Sequence, residues 1–187
     1  MSGTRALTAA EVKRLLSVAR NDRHGLRNVA IVLVGLSGLR AGEIAQIENK
    51  QLIDNGEPVE TFNLRRDQTK TKSTRSVFLS GQAVEACRLY LAEKKFLHGD
   101  NAFFESQKGS FSRGTMVKLL NSLLIRAGIP NATSHTLRKT CATMVFEKTG
   151  NVLFVKNLLG HSSTEHTVRY CMNTTHNTAE FMAKVKW

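Results

Sequence analysis

Arginine, lysine, histidine and tyrosine recur in this chain in four short segments, each beside apolar sequence. Arg40 lies in GLSGLRAGEI, Lys70 in DQTKTKSTRSVFL, His135 and Arg138 in SHTLRKTCAT, and His161 with Tyr170 in LLGHSSTEHTVRY. Side chains of these types can act on a phosphate ester. A guanidinium grips phosphate oxygens with two parallel hydrogen bonds. An imidazole gives or takes a proton near neutrality, an ammonium can protonate a leaving oxygen, and a phenol can serve as a nucleophile.

Every segment also has an ordinary explanation. Arg40 stands three residues before Glu43, which suits a local ion pair on a helix face. His135 and Arg138, three apart at a helix start, share one face and could be a cap and a surface arginine. Lys70 sits among Arg65, Arg66, Lys72 and Arg75, a basic turn that could be merely solvated, and composition does not choose between Lys70 and Lys72. Tyr170 follows a polar stretch and is one of only two tyrosines; Tyr90, the other, falls in a helical pattern that suits the core. His161, His166, Cys171 and His176 recur every five residues. On a helix that five-residue step turns about 140° from one candidate ligand to the next, so the four would not converge on a metal.

The elements that must position these residues are mostly helical. Thr8 and Glu11 form a capping-box pattern, after which Val12, Leu15, Leu16 and Ala19 fall on one helix face. A uniformly apolar helix is predicted over about Leu26 to Leu36, and a third near Arg40 with Ile44 and Ile47 inward. The segments PVETFNL and TRSVFLS read as strands flanking the basic stretch from Arg65 to Thr74, a small antiparallel sheet with a hairpin. Helices follow over Gln82 to Lys95 and Ser112 to Ala127, the latter stopped by Gly128 and Pro130. Three shorter ones cover Thr136 to Lys148, Val152 to Leu159 and Thr164 to about Tyr170, and a last amphipathic segment runs from Asn177 to Lys186. The sum is a mainly helical α+β fold in one domain spanning residues 1–187, with no repeat or linker to divide it.

Lys and Arg total 27 against 15 Asp and Glu, a formal net charge of +12. An excess of that size attracts polyanions, of which nucleic acid is the commonest in a cell. Three cysteines without close spacing make no disulfide framework, so the expected compartment is the reducing cytoplasm. The longest apolar run, Val29 to Leu39, is too short to span a bilayer, and the N-terminus lacks the apolar stretch of a signal peptide.

In this order, the segments resemble the tyrosine recombinase (phage integrase) family. GLSGLRAGEI resembles its first arginine box, SHTLRKTCAT its HxxR box, and LLGHSSTEHTVRY its closing box, with nine residues from His161 to Tyr170. TKTKSTRSVFL resembles the hairpin that carries the family's lysine, and a Lys followed five residues later by Arg selects Lys70 over Lys72. LTAAEVKRLLSVA is similar to the opening helix of the catalytic domain, so the likeness covers nearly the whole chain. Phe78 stands where many relatives have proline.

The resemblance implies a recombinase or integrase that cuts and rejoins double-stranded DNA through a 3′-phosphotyrosyl bond. Tyr170 would be the nucleophile, Arg40 and Arg138 the phosphate clamp with His161 beside them, His135 the proton acceptor and Lys70 the general acid. No metal or other cofactor is implied. A homo-tetramer on two DNA sites is, with residues 177–187 docking on a neighbouring protomer and Phe181, Val185 and Trp187 as anchors. The helical DNA-clamping domain that usually precedes this one is not expected here. The implied location is a bacterial nucleoid, with a prokaryotic, phage or mobile-element origin. Two other functions share these features: a nicking-and-closing topoisomerase, and a DNA-binding regulator without catalysis.

Overall fold

The computed structural model describes residues 5–69, 72–94, 101–129, 131–161 and 163–171, the side chains of 166 and 169–171 excepted. The chain divides into two compact units, residues 1–141 and 142–187.

The first unit opens with α1 (Ala9–Arg20), where the capping box forms as expected. The Thr8 hydroxyl accepts the Glu11 amide at 3.2 Å, and Glu11 accepts the Thr8 amide at 2.9 Å. Leu15 and Ala19 turn inward onto α2 (Gly25–Leu36), whose residues from Arg27 to Gly35 are all buried. From Val29 to Gly35 the helix is buried on every side and has no polar face to show, which is why that stretch is apolar throughout, while the buried Arg27 and Asn28 at its start bond to each other. The short α3 (Ala41–Ala45) and α4 (Asn49–Leu52) follow, with Ile44 and Ile47 buried in the core.

Among the described residues, three two-stranded antiparallel ladders follow. The small hairpin of β1 (Ile53–Asp54) and β2 (Glu57–Pro58) turns through Asn55 and Gly56, both at positive φ. The expected ladder is β3 (Thr61–Leu64) against β4 (Arg75–Phe78), with Leu64 opposite Arg75 and Phe62 opposite Val77. A 3₁₀ turn, Arg66–Gln68, occupies part of the basic stretch between them. After α5 (Gly81–Glu93) the chain forms β5 (Glu105–Ser106) and β6 (Gly109–Ser110), then α6 (Arg113–Arg126) capped by Ser112. Tyr90 is buried in α5 with Phe103 and Phe104, and its hydroxyl accepts the Glu105 amide at 3.4 Å. It packs the core, as its sequence context suggested.

The helix α7 (Ser134–Thr149) begins in the first unit and ends in the second. Its first half meets α2 at Gly35, where an added Cβ would lie 2.8 Å from Leu137 Cδ1. Glycine there leaves room for the Leu137 side chain, whose tip would have to shift to admit a larger residue. The second unit contains α8 (Val152–Leu159) and α9 (Thr164–Cys171), with Ala142, Val155 and Leu159 packed on Val145 and Phe146. The expected C-terminal segment, residues 177–187, lies outside the described residues. Among the described residues no helix is long and apolar enough to cross a membrane.

Candidate active site

The first arginine is positioned by the end of α2. Gly38 turns the chain at φ +93°, Leu39 is buried, and Arg40 then stands extended at the N-terminus of α3. Glu43, one turn into that helix, reaches back with both oxygens. Its Oε2 accepts the Arg40 amide and its Oε1 accepts Arg40 Nη1, both at 2.8 Å.

Glu43 is only 2 % exposed, and Arg40 is one of three arginines around it. Arg75, at the inward-facing start of β4, donates from Nη2 to Glu43 Oε2 at 2.7 Å. Arg138, 1 % exposed in α7, places Nη1 3.9 Å from the same oxygen and donates from it to the carbonyl of Gly38. Burial acts to raise the Glu43 carboxyl, but Arg75, the Arg40 amide and Arg138 together hold it below the usual carboxylate range. The carboxylate therefore stays ionised at neutral pH and fixes the guanidiniums by charge as well as by hydrogen bonds.

Arg40 also lines a cleft of about 230 Å³ with Glu43, Asp67, Thr69, Arg113 and His135. His135 is exposed on the first turn of α7, held there by a local knot: its amide donates to Thr133 Oγ1 at 3.3 Å, and the Thr133 amide to Thr136 Oγ1 at 2.9 Å. On the opposite side the basic loop is tied down by Thr69. Its hydroxyl accepts the Ser73 amide at 3.1 Å and donates to the Ser73 carbonyl at 2.8 Å. Gln68 braces the same turn through Gln51 and the carbonyl of Gln46. Lys70 itself lies outside the described residues.

His161 and Tyr170 belong to the second unit. Gly160 ends α8 in the left-handed conformation, φ +63°, which lets the His161 amide close back onto the Lys156 carbonyl at 3.1 Å. That turn sets the root of the histidine. Its Nδ1 lies 2.9 Å from the hydroxyl of Thr167, a fully buried residue of α9. Tyr170 stands in the last turn of α9, described through its backbone.

Three of the six sequence-derived residues, Arg40, His135 and Arg138, thus converge in the first unit, and two more lie on adjoining elements of the second. Arg75 and Arg113 escaped the sequence reading as members of this region. A signal for Arg75 existed: in RSVF it shares the inward phase of Val77, and a charge on the buried face of a strand needs a partner.

The model of the phage integrase family matches residues 5–177. The type 1 fimbriae regulatory protein FimE of Escherichia coli K12 is 28 % identical over 184 residues, covering 97 % of this chain and 90 % of its own length. Tyrosine recombinase XerC of Chlamydia pneumoniae is 32 % identical over 171 residues, which are 88 % of this chain and 53 % of that one. Among solved structures, the XerA recombinase superimposes with a TM-score of 0.80 at 27 % identity, over 98 % of this chain and 65 % of that one. The chain therefore spans most of FimE but about half of XerC. An arginine box, a histidine-arginine box and a closing histidine-tyrosine box, carried on this fold and matched almost end to end, establish that the chain belongs to the phage integrase family, the tyrosine recombinases.

Proposed function

We propose that this chain cleaves and rejoins double-stranded DNA at defined sites, using Tyr170 as nucleophile and Arg40 and Arg138 as the phosphate clamp. The observation that carries the reading is one buried carboxylate, that of Glu43, with Arg40, Arg75 and Arg138 arranged around it beside a cleft that His135 also lines. Guanidiniums fixed before substrate arrives need no reorganisation when charge builds on phosphorus, and this is the main electrostatic source of enzymatic rate. A net charge of +12 supplies the attraction for a DNA backbone.

The chemistry follows from the residue types. The Tyr170 hydroxyl, with an ordinary pKa of about 10, loses its proton to His135 as its oxygen attacks phosphorus. The bond to the 5′ oxygen breaks, Lys70 protonates that oxygen, and a 3′-phosphotyrosyl ester remains. The energy of the phosphodiester is kept in that ester, so a DNA hydroxyl can reverse the step and reseal the strand. His161 supplies a further hydrogen bond to a non-bridging oxygen. Neither a metal ion nor a nucleotide cofactor is needed for such an exchange. Strand exchange without losing ends suits a single catalytic domain acting as a homo-tetramer on two DNA sites, with residues 177–187 as the link between protomers.

A DNA substrate nicked near the cleavage point traps the covalent stage, because the short leaving strand diffuses away. The expected result is a protein–DNA adduct stable to SDS that forms with the full chain and is absent in Tyr170→Phe. DNA binding without any adduct would overturn the reading.

A further inference from the structure

We infer that Thr167 is a positioning residue that holds the ring of His161 with its proton on Nε2, the tautomer that can donate to a phosphate oxygen. The inference rests on the proposed role of His161 and adds to it the group that sets its chemistry.

Thr167 is 0 % exposed in the middle of α9, so its hydroxyl proton must find an acceptor inside the protein. Buried threonines in helices commonly direct that proton to the carbonyl one turn back. Thr140 of α7, also fully buried, does so, donating to the carbonyl of Thr136 at 2.8 Å. Thr167 makes no such bond among the described residues; its hydroxyl meets only Nδ1 of His161, at 2.9 Å. If Nδ1 carried the proton, the hydroxyl could only accept, and its own hydrogen would be buried unmatched. The stable arrangement has the hydroxyl donating to an unprotonated Nδ1. The imidazole proton then sits on Nε2 at the far edge of the ring.

This bond completes a mount that begins in the backbone. The left-handed Gly160 and the bond from the His161 amide to Lys156 fix where the side chain leaves the chain. The Thr167 hydroxyl fixes how the ring is turned. Without it nothing from Thr167 favours an unprotonated Nδ1, and the tautomer with a lone pair on Nε2, where phosphate requires a donor, is no longer disfavoured by a buried unmatched hydroxyl.

The test reads the tautomer directly and the chemistry separately. Two-bond proton–nitrogen correlation spectra of the full ¹⁵N-labelled chain, at about pH 8 where an imidazole is neutral, should show His161 as the Nε2–H form. Thr167→Ser should keep that form and cleave the nicked DNA substrate within about threefold of the parent, whereas Thr167→Val should lose it and cleave about tenfold more slowly. An Nδ1–H ring in the parent chain overturns the inference without needing any variant to fold, as does a Thr167→Val chain that cleaves at the parent rate. His161→Ala cleaving at the parent rate, with Nε2–H intact in the unmodified chain, would instead overturn the assignment of His161 to the phosphate and remove the catalytic consequence of the bond.

Discussion

Replacing Glu43 by glutamine changes one buried charge and almost no volume, so it isolates what that charge contributes. Arg75 and Arg40 lie 2.7 and 2.8 Å from the carboxylate and Arg138 3.9 Å from it. At an effective dielectric of about 20, unit charges about 4 Å apart attract by roughly 4 kcal/mol, before the cost of removing them from water is subtracted. That cost has already been met in the native fold, and Glu43→Gln would take the Glu43 charge away from Arg75 and Arg138, whose side chains are 8 % and 2 % exposed. Breaking a buried pair this way costs about 3–5 kcal/mol. Glutamine still offers an oxygen to the Arg40 amide, so the lower end, about 3 kcal/mol, is expected. A domain is stable by only about 5–15 kcal/mol, so urea unfolding will resolve the change easily. The pH dependence carries the sharper test. The Glu43 carboxyl is held below its ordinary 4.5 in the folded chain, so its contribution is complete above that value. It is lost as pH falls through the lowered folded value. The difference between the parent and Glu43→Gln should therefore be greatest at neutral pH and close on the acid side. DNA binding should survive, since the variant is more positive, while cleavage of the nicked substrate falls. A loss under about 1 kcal/mol at neutral pH, or a gap that does not narrow in acid, would refute the idea that one carboxylate holds the cluster by charge.

Gly35→Ala should destabilise the chain by about 1 kcal/mol despite the better helix propensity of alanine, because the new methyl meets Leu137. In a Leu137→Ala background the same change should become stabilising, and a double-mutant cycle in urea reads the reversal. Arg113 lines the cleft and has no ion pair among the described residues, so Arg113→Ala should weaken DNA binding and reduce the slope of log affinity against log salt by about 1. A slope unchanged by the substitution would place Arg113 off the DNA. Arg5 holds the Glu11 carboxyl at about 2, against an ordinary 4.5, so Glu11 stabilises the fold above pH 4.5 and ceases to as pH falls toward 2. Glu11→Gln should thus cost about 1 kcal/mol at neutral pH, discounted for the exposed Arg5, and nothing near the acid end, as followed by helix signal during urea titration.

What was legible in the sequence was local. Thr8 with Glu11, Ser112 before α6, and Gly160 after α8 each act within a few residues, and the helices they bound stand where the pattern put them. The strands β3 and β4 were legible by alternation, and their register keeps Phe62 and Val77 on one face. Less legible were α4 and the turn Arg66–Gln68, which are too short for a period to show and are held by Gln51 and Gln68 bonding to each other. In the candidate site, Arg40, His135 and Arg138 were readable as box residues because each box is contiguous. The grouping was not, since Arg138 reaches the Gly38 carbonyl across 100 positions of chain and Arg75 reaches Glu43 across 32. Sequence periodicity carries no information at that separation. Glu43 was visible as a partner of Arg40, and only the folded chain makes it the partner of Arg75 as well.

The charge balance around Glu43 gives a reason why a site proposed to bind a phosphate contains a carboxylate. Three guanidiniums with no carboxylate would repel one another when buried, and the arginine with most freedom would turn toward water. One carboxylate removes enough repulsion to hold Arg75 and Arg138 inside and leaves a surplus of two positive charges in the cluster. Attack of a phenolate on a phosphodiester builds two negative charges around phosphorus at the transition state, where the ground-state diester carries one. The surplus therefore matches the transition state better than the substrate, which is the condition for faster chemistry over tighter binding. Arg40 is the member suited to meet that charge. It is the most exposed of the three, and among the described residues it gives Glu43 a single side-chain N–H, leaving its other guanidinium donors for phosphate. Lysine at position 40 could keep the bond to Glu43 or reach the phosphate, but its single ammonium cannot do both in fixed geometry. Arg40→Lys should therefore retain most of the fold stability and lose most of the cleavage.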